Sequence, residues 1–110
     1  MCTFQTLNFS ERHGYILYCN QCHYIQFAFN CVLIHFHRED FKSFQRIVND
    51  LAQDHEGMPN SEIKSILIPT PCEGLSLYLS LAELRALLNM VDEADSQLCA
   101  NDLVSLFSAT

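Results

Sequence analysis

Hydrophobic and polar positions alternate along two stretches of this chain, and each alternation gives way to helical spacing. Val32, Ile34 and Phe36 recur at every second residue and lead into Phe41, Phe44, Ile47 and Val48. Leu75, Leu77 and Leu79 recur in the same way and lead into Leu84, Leu87, Met90 and Val91. A period of two marks a strand with one buried face, and steps of three and four mark an amphipathic helix. Set one above the other, the stretch from Phe29 and the stretch from Cys72 match without a gap at an offset of 43 residues. The match is one of pattern, not identity, and describes a repeated ββα unit.

Turn chemistry fixes the register. Glu73-Gly74 lies between two apolar alternations and reads as a two-residue hairpin turn, which makes Asn30-Cys31 its equivalent in the first unit. A turn there sets Phe29 opposite Val32, Phe27 opposite Ile34 and Ile25 opposite Phe36, gathering the apolar side chains on one face. A slip of one residue would mix Tyr24, Gln26 and Ala28 into that face, so the first register is strongly preferred. A tight turn at Asn20-Gln21 extends the pairing upstream, with Cys19 opposite Cys22. Ser80 with Glu83 is an S-x-x-E capping box and starts a helix near Leu81.

The expected elements are strands at about 14–19, 22–29 and 32–37, a helix at about 38–53, strands at about 63–71 and 75–79, and a helix at about 81–95. A short helix follows from about 101. The fold class is α+β: an antiparallel sheet of about five strands with two helices on one face. Residues 1–110 form one domain, with a first unit at about 14–53, a second at about 62–95 and a tail at 96–110.

Register also sorts the polar side chains. Ile16, Tyr18, Ile25, Phe27, Phe29, Val32, Ile34 and Phe36 face the helices, and Cys72, equivalent to Phe29, reads as a small buried residue. The opposite face carries Tyr15, Leu17, Tyr24 and Leu33 from the first unit and Leu67 and Tyr78 from the second. That is too apolar for a face left in water. Either it is an interface, anchored by Tyr15, Leu17, Tyr24, Leu33 and Tyr78, or the N-terminal segment with Phe4, Leu7 and Phe9 folds back over it.

Charge narrows the partners. Six Lys and Arg against 13 Asp and Glu give a net charge of −7, with the basic residues scattered. Phosphate backbones and anionic membranes need clustered cations, so neither nucleic acid nor a membrane surface is expected as a partner. A homodimer or a protein partner is expected instead. The first residues, M-C-T-F-Q-T-L-N-F, lack the charged and apolar regions of a signal peptide, so a cytoplasmic location with reduced thiols is expected.

Chemistry concentrates at C-N-Q-C-H, residues 19–23. A C-x-x-C supplies half of a tetrahedral zinc site. Cys19, Cys22 and His37 share the face away from the helices at one end of the sheet, which makes them candidate zinc ligands, with His35 or a group from a second subunit as the fourth. A redox C-x-x-C opens a helix, whereas this one joins two strands. Two cysteines that merely close a hairpin remain the plain alternative. The chain has three glycines and no phosphate-binding loop, and no nucleophile elbow places its serines. No catalytic residue and no small-molecule substrate is identified.

The stretch C-N-Q-C-H-Y-I-Q-F-A-F-N-C-V-L-I-H-F-H-R-E-D-F resembles a family of short uncharacterised bacterial proteins. The shared pattern is a C-x-x-C hairpin at Cys19 and Cys22, an apolar strand turning at Phe29-Asn30, and a strand entering a helix at Glu39-x-Phe41. The resemblance spans about residues 14–95 and departs at Cys31, where glycine would suit the turn better. It implies a cytosolic domain of unknown function and brings over no catalytic residue. The expected function is therefore a non-enzymatic α+β domain acting by self-association or protein interaction. A small zinc-binding domain is the alternative, and a thiol redox protein a remote one.

Overall fold

The central hairpin forms in the register that its apolar pattern requires. The computed structural model describes residues 1–108. Strands β3 (Ile25–Phe29) and β4 (Val32–Phe36) pair antiparallel, with Phe29 opposite Val32, Phe27 opposite Ile34 and Ile25 opposite Phe36. Asn30 makes the turn at φ +55°, a left-handed conformation that asparagine tolerates better than most residues. On the other side of β3 runs β2 (Gly14–Cys19), and beside it β1 (Phe4–Ser10), giving a sheet of order β1-β2-β3-β4. Gly14 has no substitute here: its φ is +149°, and a Cβ would stand 2.0 Å from the Ala28 carbonyl oxygen.

The N-terminal segment does not fold over the outer face. It extends the sheet as an edge strand, and a bulge between Thr6 and Asn8 explains why alternation does not reveal it. The extra residue turns both Leu7 and Asn8 inward, where they are buried, and leaves Phe4 and Phe9 exposed on the outer side. Strand period two is lost at that point.

The second unit forms its own sheet in place of a continuation to five strands. Among the described residues, strands β5 (Ile66–Pro69) and β6 (Ser76–Leu79) pair only with each other. Pro69 closes β5, and Pro71 has no N–H for a ladder, so the strand expected to reach residue 71 stops short. Leu75 N–H does bond the Cys72 carbonyl across Glu73-Gly74 (3.1 Å), but the strands pair Pro69 with Ser76 rather than closing on that turn. Cys72 therefore lies in the loop and is exposed, contrary to the buried position its repeat equivalent suggests. The register moves by two residues, which preserves faces: Ile66, Ile68, Leu77 and Leu79 are buried, and Leu67 and Tyr78 are exposed.

Both helices pack on the inner side. Helix α1 (Arg38–Asp54) lies against β4 and β5, and α2 (Leu81–Ser108) lies along β1, β2 and α1. The capping box forms as expected, with Ser80 N–H donating to Glu83 Oε1 (3.0 Å) and Glu83 N–H to Ser80 Oγ (3.2 Å). α2 is one helix of 28 residues, not two. Asn101-Asp102, which reads as a new helix start, bonds outward instead: Asn101 Nδ2 donates to Gln5 Oε1 on β1 (2.9 Å), and Asp102 pairs with Arg38 on α1. The acidic stretch D-E-A-D at residues 92–95 is likewise turned to neighbours, Asp92 accepting from Gln45 (2.9 Å) and Glu93 from Asn8 (2.8 Å).

Between sheet and helices, rings of Phe27, Phe36, Phe41 and Phe44 meet. Phe27 and Phe44 stand edge to face at 5.5 Å, and Phe36 and Phe41 at 5.8 Å. Such pairs each contribute about 0.5–1.5 kcal/mol beyond their buried area. One buried cluster runs from Leu7 to Leu98 and takes in both units. Among the described residues, no helix is long and apolar enough to cross a membrane.

Candidate metal centre

The turn between β2 and β3 is longer than two residues, and the difference builds the site. Cys19 pairs with Tyr24, not Cys22: its N–H donates to the Tyr24 carbonyl (3.0 Å), and Tyr18 faces Ile25 in the next step. Residues 20–23 make the turn. His23 takes φ +64°, its N–H bonds the Cys19 carbonyl (2.9 Å), and its Nδ1 lies 2.8 Å from the Tyr18 hydroxyl. A slip of two residues keeps Tyr15, Leu17, Cys19 and Tyr24 on the outer face. It takes Cys22 out of the strand and bends it over Cys19, whose Sγ accepts the Cys22 N–H at 3.3 Å.

A third thiol arrives from the N-terminus. Cys2 precedes β1, which runs beside β2, and its Sγ lies 3.4 Å from Cys22 Sγ. The sulfurs of Cys2, Cys19 and Cys22 all lie within 4.8 Å of one another. The two middle residues of C-N-Q-C hold this strand end in place. Asn20 N–H donates to the Thr3 carbonyl (3.0 Å), Thr3 N–H to Gln21 Oε1 (2.6 Å), and Gln21 Nε2 to Thr3 Oγ1 (3.0 Å). Two residues supply sulfur, and the two between them fasten the segment that brings the third.

The local dipoles favour a thiolate at the middle of the cluster. The Cys22 N–H aimed at its sulfur lowers Cys19 from the ordinary 9.0 to about 7, against the burial that raises it, with the Gln21 N–H and the neighbouring thiols adding to the lowering. Hydrogen bonds to Cys22 and then Cys19 keep the proton on Cys2, raising it to about 11. Zinc binds thiolates at about 2.3 Å, which puts tetrahedral sulfurs roughly 3.8 Å apart. The Cys2–Cys22 separation of 3.4 Å, with all three sulfurs inside 4.8 Å, is close to one face of that tetrahedron, and its fourth corner is left for another donor.

The outer face around the cluster forms a shallow cleft of about 210 Å³. Its thiols lie at one end and His35 at the other, with Tyr24 and Gln26 between them and Phe4 beside them. Of the three ligand candidates read from sequence, Cys19 and Cys22 are brought together. His37 is not among the clustered residues: it is the N-cap of α1, its ring 4.7 Å from that of Tyr24. Of the interface candidates, Tyr24, Leu33 and Tyr78 are exposed, while Tyr15 and Leu17 are half-buried. Tyr78 belongs to the separate β5–β6 sheet. Cys2 was the residue spacing could not find, because 16 residues separate it from Cys19 and the bulge conceals the strand that carries it.

Residues 1–106 match the model of a family of unknown function, DUF6686. The chain belongs to that family. The DUF6686 match takes in Cys2 and most of α2, beyond the stretch on which the sequence resemblance rests. No curated protein and no solved structure matches the chain.

Proposed function

We propose that this DUF6686 domain is a non-enzymatic metal-binding module that presents its outer sheet face to a protein partner. Cys2, Cys19 and Cys22 are the protein ligands, and zinc is the metal that three clustered thiols suit best. The observation that carries this reading is the convergence of three sulfurs within 4.8 Å, from two segments far apart in sequence. Bound there, the ion supplies a covalent-like staple between the start of β1 and the β2–β3 turn. Because an edge strand has only one ladder, its first residues gain most from such a staple.

Chelation tests the proposal. Removing zinc is expected to lower the unfolding midpoint and to speed amide exchange at residues 2–4 and 19–23. Cys2→Ser and Cys22→Ser should reproduce both effects and make the chain indifferent to chelator. Cysteines that only close a hairpin would leave midpoint and exchange unchanged in all three cases. A redox role would show instead as labelling of Cys19 far faster than free cysteine at neutral pH, which its burial at 3% exposure opposes.

A further inference from the structure

We infer that a second copy of this chain docks face to face on the outer sheet, and that the partner's His35 supplies the fourth ligand to each three-cysteine centre. This rests on the metal reading above and adds the donor that completes it.

The cleft itself carries the argument. Its floor crosses the sheet from Cys19, through Tyr24 and Gln26, to His35, which pairs with Gln26. Two strand spacings across the sheet and two residues along it separate Cys19 from His35, roughly 12 Å, so His35 is too far to close the site within its own chain. A two-fold axis lying between the two faces and crossing that floor at its midpoint, at right angles to the line from the thiols to His35, exchanges the ends. It sets the imidazole of each copy over the thiols of the other, as the self-complementary interface of a symmetric dimer requires. His35 is exposed and makes no side-chain hydrogen bond among the described residues, whereas His37 is engaged with Tyr24.

Charge permits a second copy as the occupant. The outward positions of the four strands are Phe4, Thr6 and Phe9, then Tyr15, Leu17 and Cys19, then Tyr24, Gln26 and Ala28, then Leu33 and His35. None is Asp, Glu, Lys or Arg, in a chain of net charge −7. Two copies meeting on this face bring no like charges together. Four strands about 4.8 Å apart and about six residues long give a footprint of about 400 Å². That is below the ~800 Å² per partner of a standard interface, so apolar contact alone makes a weak dimer and the two metal links make it firm. A closed Cys₃His set also makes the zinc structural rather than catalytic.

The test is the solution mass of the full chain, purified without an affinity tag, with zinc bound and after chelation, together with the visible spectrum of the cobalt-substituted protein. The expected result is a dimer with one zinc per chain that dissociates on chelation. His35→Ala should weaken dimerisation at least tenfold and change the cobalt bands, with the circular dichroism of the fold retained. Leu33→Glu should give a monomer. A zinc-loaded monomer would overturn the second copy and leave the metal centre standing. A dimer whose mass and cobalt spectrum ignore His35→Ala would overturn the fourth ligand. A chain with no zinc at all would remove the metal centre, and this inference with it.

Discussion

The two faces of the four-stranded sheet are made by the same strands and differ in what covers them. Inward, Ile25, Phe27, Phe29, Ile34 and Phe36 are buried against α1 and α2, and their rings interlock with Phe41 and Phe44. Outward, residues of similar hydrophobicity, Phe4, Phe9, Tyr24 and Leu33, stay exposed, and Phe4 and Tyr24 line a cleft with thiols at one end. Apolar content alone does not distinguish a core from a contact surface. Coverage by the chain's own helices does, and here they cover one side only.

Substitutions on paired positions break this comparison most sharply. Phe27→Ala on the inner face should cost about 3–5 kcal/mol, through lost burial and the cavity it leaves. Leu33→Ser on the outer face should change the stability of the separate chain by no more than about 0.5 kcal/mol while weakening association. Urea unfolding of both variants beside their solution masses decides it. Equal losses would mean that the outer face is also part of the fold.

Gly14→Ala comes next. An added Cβ meets the Ala28 carbonyl oxygen, a backbone atom that moves only with β3, and the φ of +149° strains any side chain. The loss should exceed about 1 kcal/mol, read from the thermal or urea midpoint, and should not alter metal stoichiometry.

The smallest effect concerns the seam between the two units. Partial burial pushes Glu83 up, but hydrogen bonds from Lys64 (2.8 Å), Ser80 N–H (3.0 Å) and Asn30 (3.0 Å) outweigh it and hold the carboxyl at about 2, below the ordinary 4.5. A carboxyl depressed in the folded state contributes stability above its unfolded value. That contribution should fade as pH drops through 4.5 towards 2. Urea midpoints across this range for wild type and Glu83→Gln should converge at the acid end. A constant gap between them would show that the ionised carboxylate is not what joins Asn30 of the first hairpin to the start of α2.

Much of the fold was legible because register is written in the apolar pattern. The β3–β4 pairing, the start of α1 and the capping box of α2 all follow from residues that can be placed in only one way. What stayed hidden had a local cause each time. The bulge at Thr6–Asn8 erased the period of β1. The prolines at 69 and 71 cut β5 short. Asn101 and Asp102 carry the residue types of a helix cap, yet their partners, Gln5 and Arg38, lie on other elements. The site was half legible. A C-x-x-C announces itself by spacing, whereas Cys2 joins it only through strand pairing, and the Asn20-Gln21 clamp on Thr3 is visible only once that pairing is known.

The most direct test of the central claim is zinc per chain, measured by elemental mass spectrometry on the untagged protein and on Cys2→Ser. The three-thiol centre predicts close to one zinc per wild-type chain and a large loss in Cys2→Ser, with circular dichroism unchanged. Zinc absent from the wild type, or retained in full by Cys2→Ser, would contradict it.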